Sequence, residues 1–290
     1  MRILTLTTLT LLLANCSPPT LPPPGPAPAT DPAPQSHPTT PGPGPSAQTT
    51  APPASTPAPR PPSASSPDLT RSTLNGITFT GVSFDSRTHR LAIVDQPDGP
   101  GSRFPDAAAA GRSRNAIASI NGGFFTPQGK PLGLTVSNGS SSGYWNTASS
   151  LGSAVWHESK SGKSSITRRN SIGKSATLAS RDALQTGPLL VENGQPVAGL
   201  STRKSAVRSI ILWDGGSRWW LGRTSSCSLA SLAKSLAGHS PANWPVQHAV
   251  NLDGGLSSDL WISGKIPGGP VTIRPLWNRS VRNFIVLLPR

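Results

Sequence analysis

Proline crowding decides where this chain can fold. Twenty of its 33 prolines fall between Ser17 and Asp68, in a stretch otherwise made of Ala, Ser, Thr and Gly with almost no large apolar residue. Each proline fixes φ and removes a backbone donor, so neither a helix interior nor a central strand can run through such a segment. Nor does it carry the apolar surface whose burial would offset the entropy of ordering. The expectation for residues 17–68 is a disordered tether biased to extended polyproline II, reaching at most roughly 150 Å at about 3.1 Å per residue. A folded domain is expected over 69–290.

Ahead of the tether, Met1-Arg2 supplies a short positive start and Ile3 to Ala14 an apolar run that ends at Leu13-Ala14-Asn15-Cys16. The run is too short to remain as a membrane-spanning helix and reads as the apolar region of a signal peptide over residues 1–16. It resembles the bacterial lipoprotein signal, in which the cysteine becomes the lipidated first residue of the mature protein. That resemblance implies lipidation at Cys16 and an extracytoplasmic protein of the cell envelope, touching the membrane only through its lipid anchor. Ordinary secretion is the alternative. The other cysteine is Cys227, so with Cys16 lipidated no intramolecular disulfide is available and the domain depends on its core.

Residues 69–290 hold 24 basic and 10 acidic side chains, the same excess of 14 as the whole chain. Such a field attracts anions, among them phosphate polymers and acidic lipid headgroups, or serves only solubility. Nucleic acid is excluded as a partner because the chain is expected to be exported and lacks the familiar reading motifs. A monomer is expected.

Past Leu74 the texture turns to short β-branched runs punctuated by Gly, Asn and Asp. Strands are expected at Ile77 to Phe84, Leu91 to Asp95, Ala116 to Ile120, Leu132 to Ser137, Leu189 to Glu192, Val207 to Trp213, Trp219 to Gly222, Val246 to Leu252, Leu260 to Ile262 and Phe284 to Leu288. Asn193-Gly194 marks a two-residue hairpin. Helices are expected at Asp106 to Gly111 and at Ser228 to Ala237, whose Leu229, Leu232, Ala233 and Leu236 share a face. Together these describe one α+β domain, rich in strands with a few scattered helices.

Three glycine-centred segments could carry chemistry: Asn121-Gly122-Gly123-Phe124-Phe125, Thr186-Gly187-Pro188-Leu189-Leu190 and Asn251-Leu252-Asp253-Gly254-Gly255-Leu256-Ser257-Ser258. In the first and last an apolar strand runs into a polar side chain and then paired glycines. With no Cβ, those glycines can let the backbone approach a ligand and offer it N–H groups, or they can simply form turns.

Taken in order, the segments resemble the phosphodiester glycosidase family. Its Asn-Gly-Gly-Phe-Phe block matches Asn121 to Phe125, its following Pro-x-Gly pair is approximated by Pro131 to Gly133, and its Gly-Pro hairpin matches Gly187-Pro188. Its arginine-bearing strand matches Arg208, with Ser209-Ile210 where the family often has Thr-Ala, and its Leu-Asp-Gly-Gly-x-Ser-Ser block matches Leu252 to Ser258. The resemblance spans roughly Leu74 to Pro289. It implies cleavage between a sugar's anomeric carbon and a phosphodiester oxygen through a cation-like sugar. The leaving group is already good, so a protonated carboxylic acid is less needed than in ordinary glycosidases. On this reading Asp253 is the essential carboxylate, Arg208 grips the phosphate with its fork of donors, and Asn121 completes the catalytic set. Gly122, Gly123, Thr186, Gly187, Gly254, Gly255 and Ser257 would bind the sugar phosphate. No cofactor or metal is expected.

Other signatures fail on context. Gly139-Ser140-Ser141-Ser142-Gly143 has the spacing of a nucleophile elbow but is followed by no helical pattern and reads as loop. Ser231 and Lys234 lack the later Lys-Ser/Thr-Gly of penicillin-binding proteins, and Gly162-Lys163-Ser164 and Gly173-Lys174-Ser175 lack the earlier glycine of a phosphate loop. The five histidines are isolated, with no His-Glu-x-x-His. Of the eight tryptophans, Trp145 and Trp261 follow motif loops and are the favoured sugar platforms. Two functions remain open: an extracytoplasmic hydrolase of sugar-1-phosphodiesters in envelope glycopolymer or glycolipid, and a non-catalytic envelope module that binds anionic glycopolymer.

Overall fold

The computed structural model describes residues 65–290, so the leader, Cys16 and nearly all of the expected tether lie outside the described residues. The first strands are β1 (Asp68–Leu74), β2 (Ile77–Asp85) and β3 (His89–Asp95), followed by helix α1 (Ala107–Ser113). Next come β4 (Ala118–Asn121), β5 (Thr135–Ser137), β6 (Ser140–Ser142), β7 (Ala154–Glu158) and β8 (Ser164–Arg168), then helix α2 (Arg169–Leu178). β9 (Asp182–Thr186), β10 (Leu189–Glu192), β11 (Gln195–Pro196), β12 (Ser209–Trp213) and β13 (Arg218–Thr224) lead to helix α3 (Leu229–Leu236). The chain closes with β14 (His248–Asn251), β15 (Leu260–Ile262), β16 (Val271–Ile273) and β17 (Asn283–Pro289). This is the strand-rich α+β domain expected from the sequence.

The strands form three antiparallel sheets, ordered β1-β2-β13-β12-β14-β10-β11, β16-β15-β4-β17-β3 and β6-β5-β9-β7-β8. Their inner faces meet in one core to which all three contribute: Phe84, Ile211 and Trp219 from the first, Ile93, Ile120 and Ile285 from the second, Trp156 and Leu184 from the third. Each sheet is backed by a helix. Leu232 and Leu236 of α3 pack on Phe79, Ile210 and Trp220, Ala107 and Ala110 of α1 pack on Phe284 and Val286, and Ile172 of α2 packs beside Val136, Val155 and Ala183.

The helix signals hold locally. The Asp106 carboxylate accepts from the Ala109 N–H at 2.7 Å and the Ser228 hydroxyl oxygen from the Ser231 N–H at 3.1 Å, so each caps an orphan donor at its helix start. Asn193 and Gly194, with φ of 50° and 76°, turn β10 into β11, the left-handed pair that a type I′ hairpin requires. Several expectations need correction. Leu132 to Ser137 is strand only from Thr135, because Leu132 instead donates to the Phe124 carbonyl. The Gly139–Gly143 stretch is not open loop: Ser140–Ser142 pairs with β5. β7, β8, β9 and α2 were not expected at all. β9 is wholly buried yet half polar, its Asp182 accepting from the Ile93 and Asn138 N–H groups and its Gln185 bridging Leu134, Asn146 and Gly152. α2 is broken by Gly173 at φ 75°, which interrupts any helical period. Among the described residues no helix is long and apolar enough to cross a membrane.

Candidate active site

β14 ends at Asn251, and the chain then dives through buried Leu252, whose N–H reaches the Ser209 carbonyl, before releasing Asp253. The Asp253 backbone is held at both ends by the first glycine block: its N–H donates to the Gly122 carbonyl at 3.1 Å and its carbonyl accepts from Asn121 Nδ2 at 2.6 Å. Gly254 follows because the Val207 carbonyl oxygen lies only 2.8 Å from where a Cβ would stand, and Gly255 turns with φ +62° while donating to that same carbonyl at 2.9 Å. The carboxylate is thereby aimed away from the sheet, with the Gly254 N–H 2.9 Å from its Oδ1. Burial pushes the Asp253 carboxyl above its ordinary pKa, offset in part by the Ser257 hydroxyl and the Gly254 N–H.

Asp253 faces a cleft of about 620 Å³ assembled from four stretches of chain: Phe124–Pro127, Lys204–Arg208, Asp253–Ser257 and Arg279–Ser280. It is the sole carboxylate of that lining, opposed by Lys204, Arg208 and Arg279. Arg208 is buried just before β12, and its guanidinium is held by carbonyls rather than acids: Nε donates to Cys227 O at 3.2 Å and Nη2 to Lys204 O at 2.8 Å. Neither bond uses Nη1, and no acidic side chain pairs with Arg208 among the described residues. Burial lowers its pKa from the ordinary arginine value, partly offset by Cys227. A cation held by neutral acceptors in the wall of a cleft is one whose charge is available to an anion.

The structure therefore brings Asp253, Arg208, Gly254, Gly255 and Ser257 to one cleft and places the other expected residues beneath it. Asn121 is wholly buried. Besides Asp253, it links Ser209, whose hydroxyl donates to its Oδ1 at 2.7 Å, and the Asp259 N–H at 3.2 Å. It positions the loop and does not reach the cleft. The amides expected to bind substrate are spent internally: Gly122 N–H on Asn283 O, Gly123 N–H on Asn283 Oδ1, Gly254 N–H on Asp253 and Gly255 N–H on Val207. Thr186 and Gly187 are buried and brace Asn251 instead, Thr186 donating to its carbonyl and Gly187 accepting from its Nδ2, each at 3.1 Å. Arg208 lies outside the strand expected over Val207 to Trp213, which opens at Ser209.

Neither favoured tryptophan lines the cleft. Trp261 is packed with α1, Arg112 lying 5.9 Å over its ring, and Trp145 packs on Val136, Val155 and Ala183. Sequence reasoning missed Lys204 and Arg279, which lie in segments with no motif. It also gave no role to Phe124 and Phe125, although both stand inside a motif it had singled out. Among the described residues no three His, Cys, Asp or Glu side chains converge as ligands for a metal ion.

The described residues thus form a strand-rich domain with one aspartate and three basic side chains lining a single cleft. The chain belongs to the phosphodiester glycosidase family, whose model matches residues 114–288. Among solved structures it is similar to the catalytic domain of zebrafish N-acetylglucosamine-1-phosphodiester alpha-N-acetylglucosaminidase, auto-inhibited by its pro-peptide. The identity is 16%, the TM-score 0.54, and the match covers 78% of this chain and 83% of that one. A hypothetical protein from Synechocystis is similar at 18% identity and TM-score 0.52, covering 77% and 61% of the two chains. At these identities the likeness is one of fold. No curated protein matches the sequence significantly.

Proposed function

We propose that this domain hydrolyses sugar-1-phosphodiesters outside the cytoplasm, cutting between the anomeric carbon and the phosphate oxygen. Membership of the phosphodiester glycosidase family implies glycosidase activity. The observation that carries the finer reading is the pairing, in one cleft, of a single carboxylate with three basic side chains, one of them an arginine with no acidic partner among the described residues. The cations suit the diester, and Asp253 suits the sugar.

In this scheme the bond from the anomeric carbon to the phosphate oxygen breaks as water approaches the same carbon. The departing phosphate monoester keeps the electron pair, and Arg208, Lys204 and Arg279 stabilise its charge. Asp253 stabilises the cation-like sugar and accepts the proton that the water loses. Ordinary glycosidases add a second carboxyl group that protonates a poor leaving group. A phosphate needs no such proton, which is consistent with a cleft lining that holds one acid. The leader read in residues 1–16 supports an exported protein, anchored through Cys16 or secreted.

The test is incubation of the full chain with a panel of sugar-1-phosphodiesters, following free reducing sugar. Release that disappears in Asp253→Asn supports the hydrolase. Retention on anionic glycopolymer with no turnover on any diester would make the domain a binding module.

A further inference from the structure

Pro275 to Asn278 form a tight turn, closed by the Asn278 N–H on the Pro275 carbonyl at 3.1 Å, and the two residues at its apex are Leu276 and Trp277. Turn apices ordinarily take Gly, Pro, Asn or Asp, whose backbone preferences suit the bend. Here two large apolar side chains stand out at 99% and 83% exposure, while five of the other seven tryptophans are buried and two half-buried. The tip is tied down. The Arg279 N–H donates to the Leu256 carbonyl at 3.1 Å. In the amide orientation that satisfies both ends, Asn278 donates to the same carbonyl at 2.8 Å and accepts from Arg274 at 2.9 Å. Leu256 is itself exposed, and Leu256, Arg279 and Ser280 line the cleft, so the apolar tip rises at the cleft's rim.

Resting on the reading of the cleft given above, we infer that this tip docks on an anionic bilayer and that the sugar phosphodiester is carried there by a lipid. A sugar platform would need free polar partners around the tryptophan ring to meet hydroxyls; Asn278 is spent on the Leu256 carbonyl and Arg274, Arg274 also on Asp106, and Leu276 and Leu256 offer none. A bilayer interface asks for what is present. Tryptophan is favoured at the headgroup boundary, leucine just below it, and flanking arginines among acidic headgroups. Arg279 follows the apex, Arg274 before it being paired with Asp106 at 3.0 Å, and residues 69–290 carry 24 basic against 10 acidic side chains, a charge complementary to acidic lipid. With the tip inserted, the rim residues Leu256, Arg279 and Ser280 come to the headgroup layer, where the phosphodiester of a lipid-linked sugar lies.

The test compares the chain from Ser17 onward, which lacks the apolar leader and the Cys16 anchor and keeps every described residue, with its Leu276→Ser/Trp277→Ser form, both checked by circular dichroism. Sedimentation with phosphatidylcholine vesicles containing phosphatidylglycerol should show binding weakened at least about tenfold in the variant. Two diesters of one sugar 1-phosphate then follow, a water-soluble methyl ester and a long-chain alkyl ester held in those vesicles. The variant should hydrolyse the methyl ester at the unaltered rate and the vesicle-borne ester about tenfold more slowly. Equal vesicle binding by the two proteins overturns the docking. Tip-dependent binding with equal rates on the vesicle-borne ester overturns the lipid-borne substrate alone. If neither ester is cleaved by the unaltered chain, the hydrolase reading falls, and the sedimentation comparison still decides whether the tip is a membrane element.

Discussion

The two glycine blocks that meet at the cleft are written alike and used differently. Each is an apolar strand, a polar residue and a Gly-Gly pair. In the first, the polar residue still belongs to its strand: Asn121 ends β4, which lies between β15 and β17, and it pairs with Phe284. Hemmed in on both sides, its side chain can only bond inward. In the second, the strand stops at Asn251 and the polar residue comes two positions later, so Asp253 clears the sheet and its carboxylate enters the cleft. The same grammar makes a buried support in one place and a cleft-lining carboxylate in the other. The deciding variable is how far past the last paired residue the side chain stands.

The largest effect expected from breaking this asymmetry is at Asp253. Asp253→Asn should lower kcat/KM by on the order of 10²–10⁴ while leaving the fold intact. Its stability should move the other way. Burial raises the folded carboxyl's pKa, so this group's contribution to stability is complete below the unfolded value of about 3.9 and is lost as pH rises through the raised folded value. The charged form therefore burdens the fold at neutral pH, and thermal melts at pH 7 should put the variant at or above the unaltered chain. A lower Tm would contradict the cause assigned to the shift. In the proposed reaction Asp253 acts in its ionised form, so the acid limb of the pH–rate profile should have its midpoint above the usual aspartate range. Glu158 and Asp259 are also raised by burial, so the difference between the two proteins, not either melt alone, reports on Asp253.

The supporting block should show the reverse. Asn121→Ala strands the Asp259 N–H and the Asp253 carbonyl and leaves the Ser209 hydroxyl with Ser258 as its partner, and urea unfolding should register a loss of about 2–4 kcal/mol. An equally stable variant would show that Asn121 carries no structural load. Arg208→Lys keeps the charge and loses the fork, so KM for a phosphodiester should rise by roughly 10- to 100-fold, the worth of one or two charge-assisted bonds. Equal loss with a neutral sugar ligand would sink its assignment to phosphate. The smallest effect belongs to the turn itself. Gly255→Ala puts a side chain at φ +62° and should cost about 1–2 kcal/mol in the same unfolding assay.

Much of the fold was legible because its signals are local. Asp106 and Ser228 cap helices through hydroxyl or carboxylate reach within three residues, Asn193-Gly194 selects one hairpin geometry, and the apolar strands from Ile77 to Phe284 carry their own pattern. β9 was illegible because Asp182, Gln185 and Thr186 look like loop residues until Ile93, Asn138, Leu134 and Asn251 arrive from elsewhere to satisfy them. The cleft was half legible. Asp253, Arg208 and Ser257 could be named from their motifs, and all three line it.

What the amino-acid order settles unaided is a strand-rich domain and the motif aspartate and arginine that line its cleft. Tertiary contact alone decided that Gly122 and Gly123 spend their amides on Asn283, that Thr186 and Gly187 brace β14, and that Lys204 and Arg279 join the cleft. The physical reason is that a backbone donor or a charge has the same chemistry wherever it lies. Whether it is used up or left open depends on which distant segment reaches it first.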